Sequence, residues 1–154
     1  MKRILFSLAV LLCAVGLMAQ DQAPRNWWEL DRTDDSFPGV SAAKAHNYLQ
    51  GKTAHKVVVA VIDSGVDIEH EDLKEVIWTN PGEVPDNGID DDNNGYVDDY
   101  NGWNVGSNND NIAGGGHGTS VSGMIGAIGN NGSGGAGVNW DVDIMQVDMA
   151  GGLS

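Results

Sequence analysis

The longest uninterrupted apolar stretch outside the first twenty residues is Val57 to Ile62, in "KVVVAVIDSG". It does not alternate with polar residues, which predicts a strand buried on both faces, as in a parallel sheet covered by helices. Asp63, followed by Ser64-Gly65, ends it. Ahead of it, "VSAAKAHNYLQGK" carries a capping Ser41, helix-favouring alanines and a terminating Gly51, the pattern of a helix. Behind it, "HEDLKEVIW" reads as a short helix or turn. "NPGEVPDNGIDDDNNGYVDDYNG" is a long polar loop punctuated by Gly and Pro. "GWNV" is a short strand candidate. "HGTSVSGMIGAIG" has small residues on every side and predicts a tightly packed helix starting near His117. "NNGSGGAGV" is a loop, and "VDIMQVDM" a further strand. Strands alternating with helices give an α/β order around a parallel sheet.

The amino terminus has a different pattern. Lys2 and Arg3 precede an apolar run from Ile4 to Met18, and Ala19 is a small residue before a polar stretch. This is the layout of a secretory signal peptide over residues 1–19. The run is short for a bilayer span of roughly 20 residues, which argues against an uncleaved anchor. Cys13 lies inside it, and "VLLC" lacks the small residue usual before a lipidated cysteine, so secretion or periplasmic export is favoured over a lipoprotein. Residues 20–36 read as an extended arm. Residues 37–154 form the remaining unit, since 154 residues leave room for one domain at most.

Charge changes the picture next. The formal net charge is −14, and removal of Lys2 and Arg3 with a signal peptide takes it to −16. Such a surface repels nucleic acid and anionic lipid. Cleavage also removes the single cysteine, so no disulfide forms in an oxidising compartment. The acidity suggests solubility or a hard cation as partner.

Two positions carry candidate chemistry. Functional side chains of parallel α/β sheets gather at the carboxyl ends of strands, and Asp63 sits at one. A carboxylate directly after six apolar residues is costly without a partner. His117 lies at the mouth of a helix in "GGGHGTSVSG". There the helix dipole disfavours the imidazolium, while a carboxylate opposes that effect and fixes the tautomer. His46, His55 and His70 have no such setting. His70 lacks a second histidine four positions on, which excludes the zinc-peptidase pattern.

"VVVAVIDSGVD" and "GGGHGTSVSG" resemble the aspartate and histidine motifs of the subtilisin-like serine peptidases, and the resemblance covers residues 37 to 154. It implies a three-layer α/β fold with a parallel sheet. It also implies that His117 is a catalytic base oriented by Asp63, that a serine nucleophile comes later in chain order, and that the substrate is a protein or peptide. The family's serine motif resembles "GTSMA". "GTSVS", from Gly118, imitates it, but Ser120 is three positions from His117 and would ride on the same helical turn. The expectation is a partial domain that lacks the nucleophile and is inactive alone. The rival expectation is a non-catalytic secreted calcium-binding module or an inactive gene remnant.

"DDDNNGYVDDYN" almost fills a calcium-loop template. Asp90, Asp92 and Asn94 take positions 1, 3 and 5, and Gly95 the sharp turn at position 6. Tyr96 offers its carbonyl at 7, and Asp98 falls at 9. At position 12 Asn101 replaces the bidentate glutamate, so Asp99 or Asp86 is an alternative for completing the shell. Without a cation these carboxylates repel one another. The other reading is a solvated acidic turn. The loop also resembles an insertion of some bacterial subtilisin-like peptidases, and calcium there would be structural.

Overall fold

The computed structural model describes residue 24, residues 26–53 and residues 55–149. Residues 1–19, with the signal-like pattern and Cys13, and Ser154 lie outside them. Packing divides the chain into two compact units, one up to Lys44 and one from Ala45.

In the first unit, Trp27–Glu29 form one 3-10 turn rather than an extended arm. Pro24 opens it, its carbonyl accepting the Trp27 N–H at 3.0 Å. Asp31 organises the segment between this turn and the first helix. Its carboxylate accepts the N–H groups of Thr33 at 2.7 Å and Asp34 at 2.9 Å, and the Ser41 hydroxyl at 2.9 Å. Helix α1, Ala42–Leu49, stands where the alanines place it and runs across the division at Lys44.

The second unit is built on three strands: β1, Val57–Asp63; β2, Gly102–Asn104; and β3, Val142–Asp148. All pair in parallel in the order β1-β3-β2. Helix α2, Gly116–Gly126, packs on β1 and β3. Val61, Val66, Leu73, Val76, Ile112, Ala127, Val142 and Ile144 form the core beneath it. The parallel α/β architecture agrees with the sequence pattern.

β1 departs from that pattern. Val58 is 52% exposed and Ile62 66%. Among the described residues α2 covers one face of the sheet, and β1 lies at its edge. β3, in the middle, shows the buried alternation instead, with Val142, Ile144, Gln146 and Asp148 on the covered face. An apolar run records how much surface a strand has to bury, but not which elements bury it. "HEDLKEVIW" folds as consecutive turns. His70 accepts the Asp72 N–H on its Nδ1 at 3.2 Å, a turn-supporting role.

The register aligns the strand ends. Asp63 and Asn104 both pair with Asp148, so all three strands present their carboxyl ends at one level. The residues just after β1 and those just before α2 meet there.

Candidate active site

Two segments make the site: Asp63–Asp67, leaving β1, and Ile112–His117, entering α2. Val66 donates its N–H to the Ile112 carbonyl at 3.0 Å. Thr119 in the first turn of α2 accepts the Asp67 N–H at 2.9 Å and donates to the Gly115 carbonyl at 3.0 Å. Contact is too close for side chains at two glycines. A Cβ on Gly118 would strike the Gly65 carbonyl, and one on Gly115, whose φ is 36°, would strike the Ser64 carbonyl.

This packing brings Asp63 and His117 together. Nδ1 of His117 lies 2.8 Å from Oδ2 and 2.9 Å from Oδ1 of Asp63. An ionised carboxylate only accepts, so Nδ1 carries the proton and Nε2 of a neutral ring is the free acceptor. Ser64 adds its N–H at 2.7 Å and its hydroxyl at 3.1 Å to the same carboxylate. His117, then the Ser64 N–H, hold the Asp63 carboxyl below the usual aspartate range. The Asp63 side chain is 15% exposed and that of His117 78%. The carboxylate is therefore screened while the imidazole faces outward.

Ser120 does not face this imidazole as a nucleophile. Its hydroxyl donates to the Gly116 carbonyl at 2.8 Å, within its own helix. Among the described residues no serine hydroxyl bonds the second ring nitrogen of His117.

The strand ends below the pair carry residues that the sequence did not single out. Asn104 donates to the Asn111 carbonyl at 2.8 Å and to Asp148 Oδ2 at 2.9 Å, and accepts the Ser107 N–H at 2.8 Å. It links the ends of β2 and β3 to the segment leading into His117. Nothing in "GWNV" distinguishes this asparagine from a surface one. Ser64 could have been suspected, because it adjoins Asp63.

The acidic loop stands apart. Asp90 accepts the N–H groups of Asn94 and Gly95 at 3.0 and 2.9 Å, and Asp92 accepts that of Asn94 at 3.0 Å. Glu83 joins Asp90 and Asp92, each offering a carboxylate oxygen within 4.8 Å of the others. The remaining template positions have other company. Asn94 and Tyr96 are exposed. The Asn94 amide bonds Asp92 and Asp99, while its carbonyl oxygen accepts the Tyr96 N–H. Asp98 accepts the N–H groups of Asn87 and Gly88, both at 2.9 Å. Asn101 donates to the Trp78 carbonyl at 2.9 Å. Asp86, Asp98, Tyr100, Asn101 and Asp110 line a cleft to which Glu83, Asp90 and Asp92 do not contribute.

A parallel α/β sheet thus carries a carboxylate-bonded histidine at its strand ends. The chain belongs to the subtilase family, whose model matches residues 54–154. It is 42% identical over 116 residues to subtilisin-like protease 1 of Plasmodium berghei (strain Anka), covering 73% of this chain and 18% of that protein. Over 83 residues it is 51% identical to subtilisin-like protease 1 of Plasmodium falciparum (isolate 3D7), covering 53% and 12%. The corresponding Plasmodium vivax protein is 48% identical over 83 residues, covering 53% and 13%. The chain thus spans less than a fifth of the length of these relatives. Among the described residues no helix is long and apolar enough to cross a membrane.

Proposed function

We propose that this chain carries the base and its orienting acid for an exported subtilisin-like serine endopeptidase. His117 takes the proton of a serine hydroxyl as that oxygen attacks a peptide carbonyl, and returns it to the leaving amine. Asp63 fixes the tautomer and stabilises the imidazolium formed between those steps. The observation that carries this reading is the Asp63–His117 contact, with the second ring nitrogen free and outward. Export rests on the signal-like pattern of residues 1–19, and the substrate class on family membership. The reading includes a structural calcium in the acidic loop of residues 90–101, supported by the convergence of Asp90 and Asp92.

The test is a fluorophosphonate probe together with a quenched peptide substrate. Both are applied to the chain alone and to the chain supplied with the serine-bearing half of a subtilase domain. Labelling and hydrolysis are expected in the combined sample, on a serine of the added half, and both are lost with His117→Ala. Activity that survives His117→Ala overturns the assignment of the base. Labelling of Ser120 in the chain alone overturns the view of that hydroxyl as a helix-bound bystander.

A further inference from the structure

Asparagine followed by glycine occurs at Asn87, Asn94, Asn101 and Asn131. Such a step can react with itself. The glycine backbone nitrogen attacks Cγ of the asparagine side chain, and no Cβ stands in its way. Local packing decides which step is free to do so. At Asn87 and Asn94 the nucleophile is engaged. The Gly88 N–H donates to Asp98 Oδ2 and the Gly95 N–H to Asp90 Oδ2, both at 2.9 Å. At Asn101 the side-chain amide donates to the Trp78 carbonyl at 2.9 Å, and Gly102 is buried in β2. Asn131 and Gly132 are both exposed. The Gly132 N–H has no acceptor among the described residues, and nothing lies within 4 Å of the position its Cβ would take. The Asn131 side-chain oxygen also accepts the Ser133 N–H at 3.0 Å, a donor where negative charge develops during attack. Asn87 and Asn94 have the same turn, to Ile89 and Tyr96 at 2.7 and 2.8 Å, so the free glycine nitrogen is what sets Asn131 apart.

We propose that Asn131 is a site of spontaneous deamidation, a covalent change that unties the loop following α2 from Asp72. The Gly132 nitrogen gives its proton to hydroxide, and its lone pair forms the bond to Cγ of Asn131. Nδ2 takes a proton from water and leaves as ammonia, which closes a cyclic succinimide. Water then opens the ring. Addition at the side-chain carbonyl gives aspartate, and addition at the main-chain carbonyl gives isoaspartate, in which the chain runs through the former side chain. Hydroxide and water are the co-reactants, and no redox partner takes part. The position makes the change consequential. Asp72 is 3% exposed. Its carboxylate accepts the Asn131 amide at 3.4 Å and the Gly135 N–H at 2.9 Å, and its backbone carbonyl accepts the Ile128 N–H at 3.2 Å. One residue of the turns after β1 thus holds both sides of the loop that leaves α2. A carboxylate at position 131 has no N–H to donate, and it faces Asp72 with like charge.

The experiment incubates the purified full chain at pH 6 and at pH 9, with a sample unfolded in guanidinium chloride beside it. Mass spectrometry of its peptides locates each conversion, and enzymatic carboxyl methylation scores isoaspartate. In the folded chain Asn131 should react first, and faster at pH 9. It should lead Asn87 and Asn94 by roughly tenfold or more, since each of those must first break a hydrogen bond to a carboxylate. In the unfolded sample that lead should vanish, because every glycine nitrogen is then free. Asn131→Gln should remove the fast site and leave the rates at Asn87 and Asn94 unchanged. Asn131→Asp stands for one product and should lower the denaturant midpoint of the second unit at pH 7. Asn131→Ala, which loses the bond to Asp72 without adding charge, should lower it less. Asn131 left intact in the folded chain while the unfolded sample reacts, or reacting no faster than Asn87 and Asn94, overturns the assignment of the site. An Asn131→Asp chain as stable as the wild type overturns the untying of the loop.

Discussion

Asp63 and His117 are 54 positions apart in sequence and 2.8 Å apart in space. The contact joins the end of a strand to the first turn of a helix. A tautomer-fixing pair of this kind makes a specific demand on chemistry. Asp63→Asn keeps the shape but offers an amide that can donate, so the ring is free to turn or to take the wrong tautomer. In the assembled enzyme, kcat should fall by about 10⁴-fold, the loss seen for this exchange in the chymotrypsin-type triad. KM should change little. A loss below tenfold would show that the aspartate is not the orienting group.

Acid should unsettle the same contact. The Asp63 carboxyl is held below the ordinary aspartate value of 3.8, first by His117 and then by Ser64. Asp31 is lowered by the Asp34 N–H, the Ser41 hydroxyl and the Thr33 N–H. A depressed native pKa means that the unfolded chain binds the proton first. The stability contributed is complete above about pH 5 and declines as pH falls toward the native values. Urea midpoints measured from pH 5 to pH 2.5 should therefore drop, and Asp63→Asn should flatten the slope for the second unit. A flat wild-type profile would contradict both assignments.

Glycine spacing at the site is open to a paired comparison. A methyl group on Gly118 runs into the Gly65 carbonyl and crowds the Asp63 Cβ, 3.3 Å away. Gly123, in the same helix, has nothing within 4 Å of its Cβ position. Gly118→Ala should destabilise by about 1–3 kcal/mol through overpacking. Gly123→Ala should stabilise by about 0.5–1 kcal/mol, because alanine loses less backbone freedom in a helix. Denaturant titration of the two variants decides, and equal effects would mean that the two segments are not packed as described.

Sequence legibility tracked locality. The Asp63–His117 contact was readable because each residue is marked by its neighbours, an apolar strand ending in a carboxylate and a histidine flanked by glycines at a helix start. The presence of α1, α2 and β3 was readable from composition, but not every end: the small-residue run to Gly129 predicts a longer helix than Gly116–Gly126. The exposure of Val58 and Ile62 was not, since it depends on what stands opposite the sheet. Glu83 was hidden for the same reason. In "NPGEVPDNG" it reads as a surface turn residue, and its burial arises only when residues 91 and 92 fold back over its carboxylate.

Asn104 gives the most demanding prediction, because two substitutions should rank in a set order. The residue is 7% exposed, and its amide spends both donors and its acceptor on three separate partners. Asn104→Ala removes those bonds from a buried position, a cost of about 1–3 kcal/mol. Asn104→Asp preserves size and the acceptor for Ser107. It also places a carboxylate where an amide now donates to the Asp148 carboxylate at 2.9 Å. Two acceptors then meet in a buried place, and like charges add to the mismatch. The aspartate variant should therefore be the less stable of the two near neutral pH. Denaturant midpoints at pH 7 measure this directly. An aspartate variant as stable as the wild type at pH 7 would refute the role given to Asn104 as the tie between β2, β3 and the segment that delivers His117.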